Sequence, residues 1–355
     1  KNHPGADGEP MSCVKRKSTQ NILLAAYYQP LTVEELCIEL GISAPYIEDE
    51  VEYLVENQLM RKVGSDRYQT DFVIYSPIGS QMNETICNSC FPAFFNDLIT
   101  LLEENRPLLE SLEYNTPNFT WERLLWIYIH MFTWFMESKY RWEECLNSSA
   151  PEVPERPNGG NWIAFGFRQI PEQKSRIRKP YEMWDGPVHK VYHDFIQGFY
   201  HYWNGMDSTD YFAIPNGVFE LCREVVTGTI APDTMNDDQK YLFSIALDKK
   251  LFLREGDTFR QNYYFIDRKH LSVLEIIADE AYPQFKKYFD IAYAIILKER
   301  AGDIPKHLQK DAVGSITNSL TIFVTRSLYE AEQRGLLSVP TETDRDWLSL
   351  YATEA

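Results

Sequence analysis

Basic residues are absent from a long N-terminal stretch of this chain. Between Ser18 and Met60 the sequence contains no lysine or arginine. The same stretch contains eight acidic residues: Glu34, Glu35, Glu39, Glu48, Asp49, Glu50, Glu52 and Glu56. The full chain of 355 residues has a formal charge of −17 at pH 7. Because lysine and arginine supply most non-specific affinity for phosphate backbones, this balance argues against bulk binding of nucleic acid or of an anionic membrane.

Cysteine is too sparse for a disulfide framework, since the chain has six cysteines in 355 residues. Cys37 and Cys222 stand in apolar helical patterns, which predicts two buried thiols. Cys87 and Cys90 have the C-x-x-C spacing of half a zinc or redox site, but no second pair follows them. Because structural zinc normally takes four ligands, an ordinary pair of thiols is the favoured interpretation.

The histidines give no stronger metal pattern. His189 and His193 are four residues apart and would share one face of a helix, as metal ligands can. No glutamate follows His189 in the H-E-x-x-H manner. We therefore predict no bound metal and no cofactor.

Long apolar runs and catalytic motifs are also absent from the sequence. The most apolar run, Leu124 to Met136, is shorter than the roughly 20 residues needed to cross a bilayer, and His130 interrupts it. Residues 1–10 are polar and do not resemble a signal peptide. There is no Walker loop, no G-x-S-x-G and no H-E-x-x-H. We expect a protein without membrane contact and without enzymatic activity.

Residues 18–78 carry the pattern of a winged helix-turn-helix. A first helix is predicted over 21–27 and ends before Pro30, because the residue before a proline is pushed out of the α region. Thr32 and Glu35 have capping-box spacing and open a second helix, which Gly41 can end in a left-handed conformation.

A third helix and a hairpin complete this pattern. Helical spacing places Ile47, Val51, Leu54 and Val55 on one apolar face. The turn 64–66 then separates two β-like segments, which predicts a wing of two strands.

A known family has a similar segment. The residues QNILLAAYYQPLTVEELCIELGISAPYIEDEVEYLVENQLMRKVGSDRYQTDFVIYS resemble the winged-helix module in the C-terminal extensions of Firmicutes extracytoplasmic-function (sigma-70 family) RNA polymerase sigma factors. The resemblance implies a bacterial cytoplasmic protein linked to transcription, with RNA polymerase or a sigma core as partner. It carries over no polymerase-binding or promoter-melting residue, because the sigma core regions are not found in this chain.

The acidic residues make the third helix a poor reader of DNA. Its expected outward residues are Ala44, Pro45, Tyr46, Glu48, Asp49 and Glu52. Three of these six are acids, which would face the phosphates of DNA. We expect weak or no DNA binding by this module. If DNA is contacted, we expect the basic loop 174–179 or the following residues to carry it: Arg61, Lys62, Arg67, Lys249, Lys250 and Arg254.

A second winged-helix-like unit is predicted over 216–270. The segment from Leu251 to Gly256 aligns with Leu59 to Gly64, and residues 259–267 align with 68–76 after a one-residue shortening of the turn. A helix is predicted before each hairpin. Over 236–267 there are five basic and six acidic residues, a balance less hostile to DNA than that of the first unit.

An aromatic-rich α+β region lies between these two units. A helix over 188–202, within the ring-rich segment 181–212, and an apolar helix over 121–145 are predicted to line a ligand pocket or a protein interface. Packing of the same rings in the core remains the commoner alternative. The candidate ligand-binding or interface residues are Trp134, Trp184, Tyr192, Phe199, Tyr200 and Trp203.

The complete sequence predicts an α+β, mostly helical protein. Residues 1–17 read as a disordered tail or linker, 18–78 as the winged helix, 79–340 as a regulatory domain and 341–355 as a tail. Further elements are a strand over 162–168 and helices over 94–114 with a kink at Pro107, over 271–298 interrupted near Pro283, and over 304–328.

Two functional interpretations remain open from the sequence. The first is a transcription-linked regulator, a sensing or assembly extension of a sigma-factor-like protein that binds a small-molecule ligand or a protein partner. The second is a structural or interaction protein that uses winged helices only as contact modules. A homodimer is compatible with either interpretation.

Overall fold

The computed structural model describes residues 13–75, 79–112, 120–146, 157, 164–167, 181–183, 191–192, 195–197, 201–203, 217–249, 251–300, 302, 304–309, 312–337 and 351–354. The chain is α+β and mostly helical, as predicted. The described α-helices are, in chain order, α1 Lys17–Ala25, α2 Val33–Leu40, α3 Ala44–Glu56, α4 Gly79–Ser89, α5 Phe91–Glu104, α6 Arg106–Glu110, α7 Trp121–Tyr140, α8 Val218–Val226, α9 Asp237–Asp248, α10 Arg268–Arg300, α11 Ala312–Thr317 and α12 Ile322–Gln333.

The strands are short. They are β1 Leu31–Thr32, β2 Met60–Val63, β3 Arg67–Thr70, β4 Val73–Tyr75, β5 Phe165–Phe167, β6 Tyr181–Met183, β7 Val191–Tyr192, β8 Phe195–Gln197, β9 His201–Trp203, β10 Phe252–Glu255, β11 Thr258–Gln261, β12 Tyr264–Ile266 and β13 Tyr351–Glu354. They form small sheets in the orders β1-β3-β2, β10-β11, β12-β13-β8-β7, β4-β5 and β6-β9.

The chain divides into two compact units. Unit 1 comprises Lys1–Ser89, Tyr140–Lys174 and Asp290–Leu320. Unit 2 comprises Cys90–Lys139, Ser175–Phe289 and Thr321–Ala355. Both units are therefore assembled from segments that are distant in sequence.

In unit 1, residues Lys17–Tyr75 form the first module, in which three helices pack around one apolar core. Helical spacing places Ile47, Val51 and Leu54 of α3 on the inner side, where each is fully buried. They share the core with Ile22 of α1 and Leu36 of α2, which are also fully buried. Helix α2 begins with the predicted capping box, in which the Glu35 N–H donates to Thr32 Oγ1 over 3.1 Å.

Hydrogen bonds tie α1 to the hairpin β2–β3 and to β4. The buried Thr70 Oγ1 donates to the Leu23 carbonyl oxygen over 2.7 Å, and the Thr70 N–H donates to the Ala26 carbonyl oxygen over 3.2 Å. The Ile74 N–H donates to the Tyr27 hydroxyl over 3.0 Å. These buried bonds satisfy polar groups where strand and helix meet, so they fix the hairpin against α1.

In unit 2, residues Val218–Ile266 form the second module, which repeats the helix–helix–hairpin part of the first. Its core consists of buried residues from both helices and from the hairpin: Val218, Phe219, Cys222, Ala246, Leu251, Phe252 and Tyr263. As predicted, β10 and β11 pair with each other, with Glu255 opposite Thr258. The equivalent pair in the first hairpin is Val63 opposite Arg67, so the turn is one residue shorter in the second hairpin.

The two modules share a backbone hydrogen-bond pattern around a buried leucine. The Leu59 N–H donates to the Leu54 carbonyl oxygen over 2.9 Å, and the Leu59 carbonyl oxygen accepts from the Asp71 N–H over 3.0 Å. Leu251 makes the corresponding bonds, donating to the Ala246 carbonyl oxygen over 2.8 Å and accepting from the Asn262 N–H over 2.9 Å. The residues that correspond in the sequence repeat therefore also make corresponding backbone hydrogen bonds.

The prediction of a helix over 188–202 was wrong. The described residues of this segment are strands, with Val191 paired to Ile196 and Tyr192 paired to Phe195 in a β7–β8 hairpin. His201 lies in β9, which pairs with β6. Aromatic and β-branched residues are also strong strand formers, so regular ring spacing did not distinguish the two structures.

Two predictions about helix continuity also differ from the structure. Helix α10 continues through Pro283, with Leu274, Phe285 and Phe289 buried along it. Burial of one continuous apolar face outweighs the hydrogen bond that the proline removes. The helix predicted over 304–328 has only a 3₁₀ turn at Lys306–Leu308 in its first part, and a second 3₁₀ turn at Asn318–Thr321 separates α11 from α12.

The remaining predicted segments have mixed outcomes. The kink at Pro107 is a break at Asn105 between α5 and α6, and a strand lies within 162–168 as predicted. In the predicted tail or linker 1–17, residues 1–12 lie outside the described ranges, while Cys13 is buried. In the predicted tail 341–355, β13 pairs with both β12 and β8. Cys222 is buried as predicted, but Cys37 is only half-buried.

The turn glycines of the two hairpins generate a test of the repeat. Gly64 and Gly256 have φ of 72° and 64°, and an added Cβ would meet nothing within 4 Å at either position. We expect Gly64→Ala and Gly256→Ala each to lower the free energy of unfolding by about 1 kcal/mol, because only the left-handed backbone is penalised, and Asn to cost less. Urea unfolding measures this.

Gly302 provides the matched control for this experiment. It also has open space around an added Cβ, but its φ is not in the left-handed region. Gly302→Ala should therefore be neutral or slightly stabilising. Equal effects of alanine at positions 64, 256 and 302 would contradict the interpretation.

Candidate functional site

The outward side of α3 is the most distinctive surface of the first module. All six residues predicted to point outward are exposed: Ala44, Pro45, Tyr46, Glu48, Asp49 and Glu52. Tyr46 retains 70% of its accessible surface. Since Ile47, Val51 and Leu54 occupy the core, the helical period leaves these residues to solvent.

Carboxylates dominate this surface. Glu48, Glu52 and Glu56 follow one another at four-residue spacing, which places them in one row with a rise of about 6 Å per step. Exposed Asp49 stands beside this row. Helix α2 contributes two further exposed acids, so the two helices together have six: Glu34, Glu39, Glu48, Asp49, Glu52 and Glu56. Within the described ranges, no ion pair involves these six residues.

Two other acids of the same stretch have structural partners. Glu50 accepts a hydrogen bond from Thr19 Oγ1 over 2.6 Å and pairs with Arg16, which joins α1 to α3. Glu35 Oε2 accepts the Thr32 N–H over 2.8 Å in the capping box. Glu35 also receives two bonds from Arg67, of 2.9 and 3.1 Å. The Thr32 N–H, followed by Arg67, holds the pKa of Glu35 below its usual value.

The basic residues of the first hairpin are engaged within the module. Arg67 Nη1 donates to the Pro30 carbonyl oxygen over 2.9 Å in addition to its two bonds with Glu35. Arg61 Nη2 donates to Gln69 Oε1 over 3.1 Å, and Arg61 Nε lies 3.9 Å from an oxygen of Asp71. Exposed Lys62 has its Nζ 5.9 Å from the centre of the Tyr68 ring. Both arginines of the first hairpin, which are predicted nucleic-acid contacts, are therefore already bonded to groups of their own module.

The predicted nucleic-acid contacts of the second module are only partly described by the structure. Arg254 is exposed, and its Nε donates to the Gly256 carbonyl oxygen over 3.1 Å. Lys249 is half-buried at the end of α9, and Lys250 lies outside the described residues, as does the basic loop 174–179.

The aromatic candidates are only partly described. Trp184, Phe199 and Tyr200 lie outside the described residues. Tyr192 lies in β7, and Trp203 lies in β9 opposite Tyr181. Trp134 on α7 is half-buried, and its ring centre is 5.5 Å from that of Phe135. The pocket or interface at these residues stays a prediction.

The metal candidates have the following places. Cys87 is half-buried on α4, Cys90 is buried just before α5, and both histidines of the sequence pair lie outside the described residues. No group of three potential metal ligands occurs in the part of the chain that the structure describes. His130 on α7 is fully buried, and burial lowers its pKa to about 3, so it is neutral at physiological pH.

Two exposed apolar residues of the first module were not identified from the sequence. Ile38 on α2 retains 77% of its accessible surface, and Tyr28, just after α1, retains 63%. Ile38 was detectable in principle, because it follows the buried Leu36 by two positions and so points away from the core side of α2.

Comparisons with family models, curated proteins and solved structures find no match to this chain. No helix among the described residues is long and apolar enough to span a membrane.

The Glu35–Arg67 pair generates a pH-dependent prediction. Because the pKa of Glu35 is lowered in the folded chain, its charged form stabilises the fold above the unfolded pKa, and this contribution is lost as pH falls through the folded pKa. We expect Glu35→Gln to lower stability at pH 7 and to have a smaller effect in acid. Urea unfolding across pH measures this difference.

The adjacent Glu34 is the control, because it is exposed and outside the capping box. Glu34→Gln should change stability little, with no comparable loss of effect in acid. An effect of Glu35→Gln that is independent of pH would show that the lowered pKa does not contribute to stability.

Proposed function

We propose that the first module, Lys17–Tyr75, is a winged helix that contacts proteins, within a bacterial regulator of transcription. The order of helix, strand, two helices and hairpin, with sheet order β1-β3-β2, supports the winged-helix assignment. The resemblance to the extensions of sigma factors supports the link to transcription. A winged helix alone does not establish DNA binding, because function depends on surface chemistry.

The observation that carries this proposal is the distribution of charge on the module. Exposed α3 carboxylates occupy the side that a reading helix presents to the major groove. Arg61 and Arg67, which would hold the DNA backbone, instead donate hydrogen bonds to Gln69 and Glu35. A duplex approaching this side would meet uncompensated negative charge at close range.

The second module supports a protein built from duplicated contact units. In its helix and hairpin, Leu251 makes the same backbone hydrogen bonds that Leu59 makes in the first module. Its α9 has a different outward surface, which includes Lys240, Ser244 and a Tyr241 that is 64% exposed. We infer that the two modules have different surface chemistry and contact different partners.

In this proposal the chain is a sensing or assembly extension of a sigma-factor-like regulator. A ligand or partner at the aromatic segment 181–212 would favour one state of the protein and change its contact with polymerase or a sigma core. Such a shift is limited by the difference in ligand affinity between the two states. If transcription proteins are not bound, the acidic surface still favours the second role, an interaction protein outside transcription.

The first experiment concerns DNA. We expect the full chain to bind generic duplex DNA weakly at physiological salt, measured by fluorescence anisotropy against salt concentration. Glu48→Lys combined with Glu52→Lys should raise affinity at least about tenfold at low salt, because repulsion of phosphates becomes attraction. The charge-matched control is Glu275→Lys combined with Glu280→Lys, two exposed acids of α10.

Equal gains in the two double variants would show that net charge alone sets DNA affinity. Specific nanomolar binding by the unmodified chain would contradict the proposal if it is lost on replacing Tyr46 or Glu48 but unaffected by replacing Lys249 and Arg254.

The second experiment concerns the transcription machinery. We expect the full chain to bind purified bacterial RNA polymerase or a free sigma factor in biolayer interferometry, and the affinity to fall as salt rises, because the contact is electrostatic. An unrelated acidic protein of similar net charge is the control. Binding to neither component, or equal binding by the control, would reject the link to transcription.

A further inference from the structure

The last third of α10 has apolar residues on its exposed side. Ile291 and Leu297 retain 46% and 41% of their accessible surfaces, and Ala294 between them is also exposed. Since each residue of a helix turns by about 100°, Ile291 and Leu297 lie about 60° to either side of Ala294. These three residues therefore share one side of the helix.

Two opposite charges flank this apolar row. Asp290 and Lys298 are exposed and lie about 40° to either side of Ala294. The opposite side of α10 packs inward, with Ala292 and Ile296 fully buried. We define the α10 end face by its exposed residues, all of which lie in unit 1: Asp290, Ile291, Ala294, Leu297 and Lys298.

The order of residues on the α10 end face is self-complementary. When a second copy of the helix lies antiparallel, with Ala294 opposite Ala294, residues equally far from Ala294 on either side come level with each other. Ile291 is then level with Leu297 of the second copy. Asp290 is level with Lys298 of the second copy, and the two-fold axis repeats both pairs.

Charge selects this orientation over the parallel one. In the antiparallel pair each Asp290 meets an opposite charge, whereas a parallel pair would bring Asp290 level with Asp290 and Lys298 level with Lys298. Like charges in that position repel each other, so the parallel arrangement is disfavoured. The face thus specifies a second copy and also the direction in which it lies.

Two further features suit this contact. Ala294 at the centre allows close approach, because the distance between packed helices, about 8–10 Å, depends on the side chains at the contact. The Tyr140 hydroxyl donates to Asp290 Oδ1 over 2.9 Å, which restrains the carboxylate. An ionised carboxylate accepts several hydrogen bonds, so Asp290 can also accept from a lysine of a second copy.

We propose that the α10 end face binds a second copy of itself in an antiparallel, two-fold contact. The proposal does not depend on the link to transcription. A second copy is the occupant because one face supplies both members of each ion pair and both members of each apolar layer. From Asp290 to Lys298 the helix rises only about 12 Å, so the contact is small and the dimer dissociates at roughly micromolar concentration.

Sedimentation velocity of the full chain over a series of concentrations tests the proposal. We expect a reversible equilibrium between monomer and dimer. Ala294→Glu places two carboxylates at the two-fold axis and should raise the dissociation constant at least about tenfold. The matched control is Ala44→Glu, the same change at an exposed position of α3, which should alter the dissociation constant less than about twofold.

Reversal of the ion pair tests the orientation. Lys298→Glu brings two acids level with each other and should raise the dissociation constant at least about fivefold. Adding Asp290→Lys to this variant restores attraction in the reverse order and should return the constant to within about twofold of the unmodified chain. Lys269→Glu, the same change at an exposed position in the first turn of α10, is the control and should have little effect. Unchanged circular dichroism spectra establish that each variant is folded.

Each outcome has a defined consequence. A chain that stays monomeric up to its solubility limit would overturn the proposal. A dimer that Ala294→Glu leaves intact would also overturn it, because the contact would then lie on another surface. If Asp290→Lys fails to rescue folded Lys298→Glu, the antiparallel pairing is wrong. If Ala294→Glu abolishes binding of RNA polymerase by a chain that is always monomeric, a different protein is the occupant and the proposal fails.

Discussion

In each module, the backbone hydrogen bonds of one buried leucine connect a helix to the hairpin that follows it. The outer surfaces of that helix and hairpin depend on this connection. In the first module the Leu59 N–H donates to a carbonyl oxygen near the end of α3, and the Leu59 carbonyl oxygen accepts from the N–H of the residue after β3. Leu251 makes the equivalent bonds to α9 and to the residue after β11. Because these bonds lie beside fully desolvated side chains, breaking either would leave a buried polar group unsatisfied. The hairpin is therefore held at a defined position relative to its helix, which determines where basic side chains of the hairpin can reach.

The position of the hairpin determines which groups its two arginines can reach within the acidic first module. Arg67 reaches back to the Pro30 carbonyl and to Glu35 at the start of α2, so one side chain links the hairpin to the capping box. Arg61 is used along the hairpin itself. Both arginines are thus bonded within the module, whereas Glu48, Asp49, Glu52 and Glu56 of α3 form no ion pair among the residues that the structure describes.

Local features were predictable wherever neighbouring residues determine them. The capping box at Thr32, the outward residues of α3 and the self-paired second hairpin follow from short-range spacing, and the structure agrees with each. The segment 188–202 failed because aromatic residues are compatible with helices and strands alike. Pro283 failed for a related reason, since burial of the surrounding α10 face overrides a local penalty.

The sequence by itself determined the sign of the charge on α3, the period that turns those acids outward and the repeat of the two hairpins. These properties depend on residue identity and on spacings of two to four positions. Only the tertiary structure decided which charges are neutralised and which remain available. Arg67 and Glu35 are 32 positions apart, and Arg16 and Glu50 are 34 apart, so their pairing depends on chain closure rather than on local sequence. Electrostatic interactions act through space, and the fold alone sets the distances on which they depend.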